Sequence, residues 1–293
     1  MSRTASTRNP IDENNLVDGV PPWMLNSVLA LVKEAVEEHR GRDRVTNKVI
    51  EGVAVDRIHS IERYLQHTFP ADEDDEWELR QALLDYCREG DHGLDVVEAL
   101  LAIGGESMRY AYPRILARAT QMLLESGSKW TPVSVAEVEF RATLEERVDQ
   151  PTADAYSSAL EGTEDNSRGL LKSAWSDAFG REPNAPEAYS NAIKAMEAAA
   201  WPVITPKNDS ATLGHILGEL RANPEKWKSA ITEKVPGITS MTLSNAMQMV
   251  WEGHTDRHGT ANPVAVTQEA AEQAVFTAVM VCAFFNRNYV EAA

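Results

Sequence analysis

Two histidines, an aspartate and an arginine crowd together in the stretch Met249-Val-Trp-Glu-Gly-His-Thr-Asp-Arg-His-Gly-Thr260. Imidazole titrates near neutral pH, so His258 or His254 can take a proton from a hydroxyl. Arg257 can hold a phosphate or stabilise a developing pentavalent oxyanion. Asp256 can orient a histidine or cap the turn. Those groups suffice in principle for metal-independent RNA cleavage through the 2′-hydroxyl. The same residues also suit a plain helix C-terminus. Gly253 would then follow the last turn, with His254 and Arg257 at the favourable carbonyl end of the dipole. The two readings are compatible.

No other stretch assembles comparable chemistry. The chain lacks a Walker loop, a GxGxxG after a strand, GxSxG, HExxH and an EF-hand loop, so no cofactor is expected. The carboxylate run from Ala71 to Glu76 reads as a solvated helix N-terminus, not a metal cage. Cys87 and Cys282 are far apart, with no ligand spacing around them, so no metal site is expected and a reduced cytoplasmic setting is the default. His39, His59, His67 and His92 read as isolated on helix faces or ends. His215 reads as a hydrogen-bonded, half-buried histidine in an apolar helix.

The net charge of -17 excludes generic binding to a phosphate backbone, which wants the opposite sign. Both halves are acidic: residues 1–150 carry -11 and residues 151–293 carry -6. Any nucleic-acid contact must therefore be local. The N-terminal residues are polar and contain no signal-peptide core. The longest apolar run, Ala274–Phe285, falls well short of the roughly 20 residues that a membrane span needs. No membrane partner is expected.

Apolar residues make up 43% of the chain, and Ala and Leu dominate with modest Gly and Pro, which suits a mainly all-α fold. Residues 1–18 read as a flexible tail. Helical spacing then predicts helices from Pro22 to Val36, from Asp43 to Thr68, through Trp77 to Cys87, from Val96 to Ile103 and from Tyr112 to Glu125. Between residues 129 and 148 the period changes. Trp130, Val133, Val135 and Val138 nearly alternate and suggest a short β-hairpin. Pro151 marks a boundary between an N-terminal helical domain over 19–150 and a C-terminal one over 151–293. The second domain reads as a long helical region from Thr152 to Phe179, broken at Gly162 or Gly169, and an Ala-rich helix from Glu187 to Trp201. A helix capped by Asp209 or Ser210 follows, then a short one around Trp227 and Ile231, and one from Thr239 to Trp251. Thr267 caps the last helix, which runs to about Tyr289. The Met249–Thr260 stretch thus sits between two core helices.

From about Leu170 the chain resembles the C-terminal domain of bacterial abortive-infection proteins, which is similar to the HEPN superfamily of helical-bundle ribonucleases. The resemblance is carried by Ala188-Tyr-Ser-Asn-Ala-Ile-Lys-Ala-Met-Glu197, by Ala211-Thr-Leu-Gly214 and by the Met247–Gly259 segment ending in Arg-His-Gly. Thr267-Gln-Glu-Ala-Ala-Glu272 leads the last apolar helix. These pieces span roughly the last 120 residues. The superfamily motif is an arginine, usually followed by a polar residue, then four to six residues, then a histidine. The resemblance places His258 at that histidine, Glu252 at the polar position and Trp251 where the arginine is expected; Arg257 is the local substitute. It implies a C-terminal HEPN-like helical bundle and a phage-defence protein with endoribonuclease chemistry on RNA. It also implies a homodimer, a phage or host protein trigger and a sensory or regulatory N-terminal region. An inactive HEPN-like binding or scaffold module that senses or sequesters a partner is the competing reading.

Overall fold

A computed structural model describes residues 16–43, 46–72, 75–104, 108–135, 140–161, 165–208, 210–229, 231, 233–253 and 265–292. Most of the tail expected over residues 1–18 lies outside them. The fold is mainly all-α: eleven α-helices and three two-stranded antiparallel sheets among the described residues. The chain divides into two compact units between Arg147 and Val148. No described helix is long and apolar enough to cross a membrane.

The first unit is organised around one helix. Its elements are α1 (Pro22–Ala35), β1 (Glu37–Arg42), β2 (Val49–Val53), α2 (Val55–Leu65), α3 (Glu76–Tyr86), α4 (His92–Ile103), α5 (Tyr112–Glu125), β3 (Trp130–Ser134) and β4 (Ala142–Glu146). Helix α4 carries apolar residues nearly all round. Leu94, Val96, Val97, Ala99, Leu100 and Leu101 are all fully buried, as expected for a helix enclosed by others. It packs against α1, α2, α5 and β4. Each buried Leu or Val contributes roughly 1.5–3 kcal/mol, so this one helix supplies much of the unit's hydrophobic stabilisation. Its only carboxylate on the β4 side, Glu98, accepts from the Leu144 amide at 3.3 Å. Gly104 ends α4 where the chain leaves no room. A Cβ there would lie 1.7 Å from the Phe140 carbonyl oxygen.

The hairpin expected near 129–148 is present as β3 paired with β4, Trp130 opposite Glu146 and Ser134 opposite Ala142. The helix expected from Asp43 to Thr68 is corrected: only its second part, α2, is helical. Before it, β1 and β2 form another hairpin, with Glu37 opposite Val53 and Arg42 opposite Val49. The valines at 45, 49 and 53 recur every fourth residue, which satisfies a strand as well as a helix. The β-branched content together with Gly41 and Gly52 decides for the strand. His67 and His92 are also corrected from isolated positions. They stack on the two faces of Tyr86, with ring centroids at 4.5 and 4.1 Å.

The second unit holds α6 (Gln150–Leu160), α7 (Asp165–Phe179), α8 (Ala185–Ile204), α9 (Leu213–Ala222), β5 (Trp227–Ser229), α10 (Ile238–Gly253), α11 (Gln268–Asn286) and β6 (Val290–Ala292). Helix α8 touches α7, α9, α10 and α11. Its buried face is mostly alanine: Ala188, Ala192, Ala195, Ala199 and Ala200. α11 answers with Ala271, Ala274, Ala278 and Cys282. Small residues on both sides let the backbones approach. Pro202 does not end α8 as the sequence suggests. In the last turn it forfeits one hydrogen bond, while Ile204 beyond it is buried. The helix expected around Trp227 and Ile231 is corrected to a 3-10 turn, Pro224–Lys226, leading into β5. β5 pairs with β6, Trp227 opposite Ala292. The last helix accordingly stops at Asn286. The cap of α9 is corrected to Thr212, whose amide and hydroxyl meet His215 Nδ1 at 3.1 and 3.0 Å. His215 is exposed rather than half-buried.

Both cysteines lie wholly inside, Cys87 in the first unit's core and Cys282 in the second's. Burial pushes each thiol up to about 12. At pH 8 the thiolate fraction of each is then on the order of 10⁻⁴. The native protein should not react with a disulfide reagent at pH 8, whereas the denaturant-unfolded chain should label both thiols within minutes. Rapid labelling of either thiol in the native protein would contradict this packing.

Candidate functional site

His254, Asp256, Arg257 and His258 lie outside the described residues. The structure does describe what leads into that segment, what leads out of it and what stands beside it. Helix α10 delivers it. Leu243, Met247 and Val250 anchor α10 in the core, and the Ser240 hydroxyl donates to the Leu220 carbonyl at 3.1 Å. The last turn of any helix leaves carbonyls without intrahelical partners. Here the Tyr189 hydroxyl, from α8, donates to the Val250 carbonyl at 2.7 Å. Burial raises the Tyr189 phenol above its ordinary range, so it serves as a neutral donor. The close of α10 is shaped by the same ring. A Cβ on Gly253 would stand 2.4 Å from the Tyr189 oxygen.

Trp251 occupies the position where the resemblance expects arginine. Its ring rests against α9, and a Cβ on Gly214 would meet the indole at 3.0 Å. The N-terminus of α9 is capped at that point: the Leu213 amide donates to Glu197 Oε2 at 2.6 Å and the Thr212 amide to His215 Nδ1 at 3.1 Å. Glu252, the polar position, is exposed and accepts from Gln248.

Helix α11 receives the chain on the far side. Thr267 accepts from the Ala270 amide at 3.2 Å and Gln268 bonds the Ala178 carbonyl and Glu272. The Glu269 carboxyl is held below the usual carboxylate range by its own amide and the Thr267 hydroxyl, so it already answers the positive end of the helix dipole.

Between these ends lies a cleft of about 350 Å³, lined by Tyr189, by Met249, Val250 and Gly253 of α10, by Ala265–Thr267 and by Ala270, Gln273 and Ala274 of α11. The residues on either side of the 254–264 segment thus open onto one cavity. Among the described lining residues no side chain is charged, and Gln273 carries the one side-chain amide. Among the described residues no cluster of His, Cys, Asp and Glu could hold a metal ion. Reading the sequence singled out the ionisable groups but passed over Tyr189 as a structural element. A lone tyrosine in an alanine-rich buried helix was the available signal, since its hydroxyl must find an acceptor.

The Tyr189–Gly253 contact makes a reversible prediction. Tyr189→Phe removes one buried hydrogen bond and should lower stability by about 1 kcal/mol. In the parent, Gly253→Ala should also destabilise, because its methyl meets the Tyr189 hydroxyl. In the Tyr189→Phe background the same Ala should turn stabilising, by up to about 1 kcal/mol from helix propensity. Denaturant unfolding of the four-member cycle measures this, and an unchanged sign would refute the contact. No protein-family model, no curated protein and no solved structure matches the chain.

Proposed function

We propose that this chain is an abortive-infection-type phage-defence protein whose second unit is a HEPN-like helical module, working as a metal-independent endoribonuclease. The observation that carries the reading is the cleft: Gly253 and Ala265, which flank the segment holding His254–His258, open onto one cavity with no charged side chain among its described lining residues. In this mechanism His258 removes the proton of an RNA 2′-hydroxyl. The 2′-oxygen attacks the adjacent phosphorus, and Arg257 balances the charge on the non-bridging oxygens. His254, protonated, gives its proton to the departing 5′-oxygen, and Asp256 orients one of the imidazoles. The products are a 2′,3′-cyclic phosphate and a 5′-hydroxyl. The protein works in the cytoplasm as a homodimer, and a phage or host protein triggers it.

A second reading has its own observation. Trp251, at the expected arginine position, is packed on Gly214, and an indole cannot pair with phosphate. On that reading the module is inactive and binds or sequesters a phage or host partner.

Induced expression separates the two. If the module is an enzyme, the parent should arrest growth and leave RNA fragments with cyclic-phosphate ends. His258→Ala should cut cleavage by about 10²–10⁴-fold, and Arg257→Ala by about 10²–10³-fold. A His258→Ala protein as toxic as the parent, with the same RNA profile, would eliminate the nuclease.

A further inference from the structure

The first unit holds a feature that does not depend on the nuclease reading. Helix α2 presents Arg57, Ser60, Arg63 and Tyr64, whose spacing puts them on one face. Arg57 and Ser60 line a cavity of about 530 Å³ beside the β1–β2 hairpin. Ser60, Arg63 and Tyr64 line a second of about 630 Å³, together with Arg141, Ala142 and Thr143. Ser60 and Ile103 belong to both, so the two form one trough along α2. Each half falls within the roughly 300–1,000 Å³ of small-molecule sites.

Charge along the trough runs against the rest of the unit. The first cavity is balanced: Arg40 is tied to Glu76 at 2.5 Å and to Glu38 at 3.5 Å. Arg57 donates to the Ala35 carbonyl, and burial holds its guanidinium below the usual arginine range. Among its described lining residues the second cavity has two guanidiniums, Arg63 and Arg141, and no carboxylate. Among the described residues neither enters a salt bridge, although Arg88, Arg114 and Arg118 nearby in sequence each have a carboxylate partner. Arg63 donates to the Ser60 hydroxyl at 2.9 Å, and Ser60 lines both cavities. Residues 1–150 carry -11 overall, so this is a local reversal of sign.

The remaining lining explains what kind of anion fits. Guanidinium forks match phosphate oxygens. Tyr64 is half-exposed, and an aromatic side chain at such an edge can stack on a base. Ala102, Ile103 and Val135 supply an apolar wall beside it. The net charge of -11 over residues 1–150 disfavours a long nucleic acid more than a compact ligand. We propose that this trough binds a mono- or dinucleotide, with Arg63 and Arg141 on its phosphates and Tyr64 stacked on its base.

Equilibrium dialysis of the full-length protein against labelled ATP tests this, with inorganic tripolyphosphate and a 12-nucleotide mixed-sequence RNA as further probes. ATP should bind saturably, one per chain. Arg63→Ala and Arg141→Ala should each weaken it by about tenfold or more. Arg63→Lys should retain part of the affinity, and Arg88→Ala all of it. Tyr64→Ala should weaken ATP but leave tripolyphosphate unchanged, which separates stacking on the base from pairing with phosphate. The substituted arginines are exposed, and unchanged thermal melting confirms that each variant is folded. No saturable ATP binding at millimolar concentration would overturn the proposal, as would binding indifferent to both arginines. RNA held through Arg63 and Arg141 while ATP is not would also overturn it, in favour of a longer polyanion.

Discussion

The second unit depends on how closely α8 can lie against α11. Alanines on both helices remove the side-chain layer that would otherwise hold the axes apart, and from α7 the buried Ser167 hydroxyl donates to the Ala195 carbonyl of α8. Close packing of this kind tolerates little change, because interiors are filled to crystal-like density and an added methylene must displace something. The same proximity brings Tyr189 within reach of the end of α10. A bulkier α8 would carry that hydroxyl away from Val250, and with it the donor that finishes α10 just before the ionisable segment. The cleft at 249–274 thus borders the alanine packing directly, since Ala274 belongs to both.

In the first unit the equivalent constraint is α4. Because α4 is apolar on nearly every side, helices and strands can surround it, and polar groups are pushed to the rim. The trough lies along that rim. Its apolar wall comes from the end of α4, at Ala102 and Ile103, and its cations come from α2 and the start of β4. Gly104 matters for the same reason: with the Phe140 carbonyl so near, any side chain there would push the end of α4 away from the residues before β4.

How far the sequence could be read depended on whether each signal was local. The long helices declare themselves through spacing carried within one segment, as in Leu94–Leu101 or Leu213–Leu220, and the hairpin at 130–146 through alternation. The β1–β2 hairpin did not, since valines four apart serve both periods. β5 and β6 each span three residues and find one another across some sixty positions, and no local pattern records such a pairing. The stack of His67, Tyr86 and His92 is likewise tertiary: three segments meet, and none of them alone predicts it. At the candidate site the ionisable groups were legible as chemistry, because residue type is local information. The cleft beside them was not, because it is made by Tyr189 of one helix and the ends of two others. The basic trough was hidden for a further reason. Net charge averages over the chain, and a handful of arginines on one helix face and one strand end disappear in a total of -17.

Trp251 then places a geometric demand on the proposed chemistry. With the indole committed to Gly214, the one arginine left in the motif is Arg257, directly beside His258. Adjacent residues diverge by about 100° on a helix and point to opposite faces of a strand. One copy of a regular backbone therefore cannot bring both side chains to the same phosphate. Catalysis on the proposed scheme requires either a turn that folds 257 and 258 to one side, or a pair of subunits in which the arginine of one copy serves the histidine of the other. In the second case activity would be a property of the dimer alone, and an inactive partner contributing only Arg257 would still complement a copy that has lost it. Mixed dimers of Arg257→Ala and His258→Ala chains should then recover one working site in each pair. In the first case the mixture would stay as silent as either variant by itself.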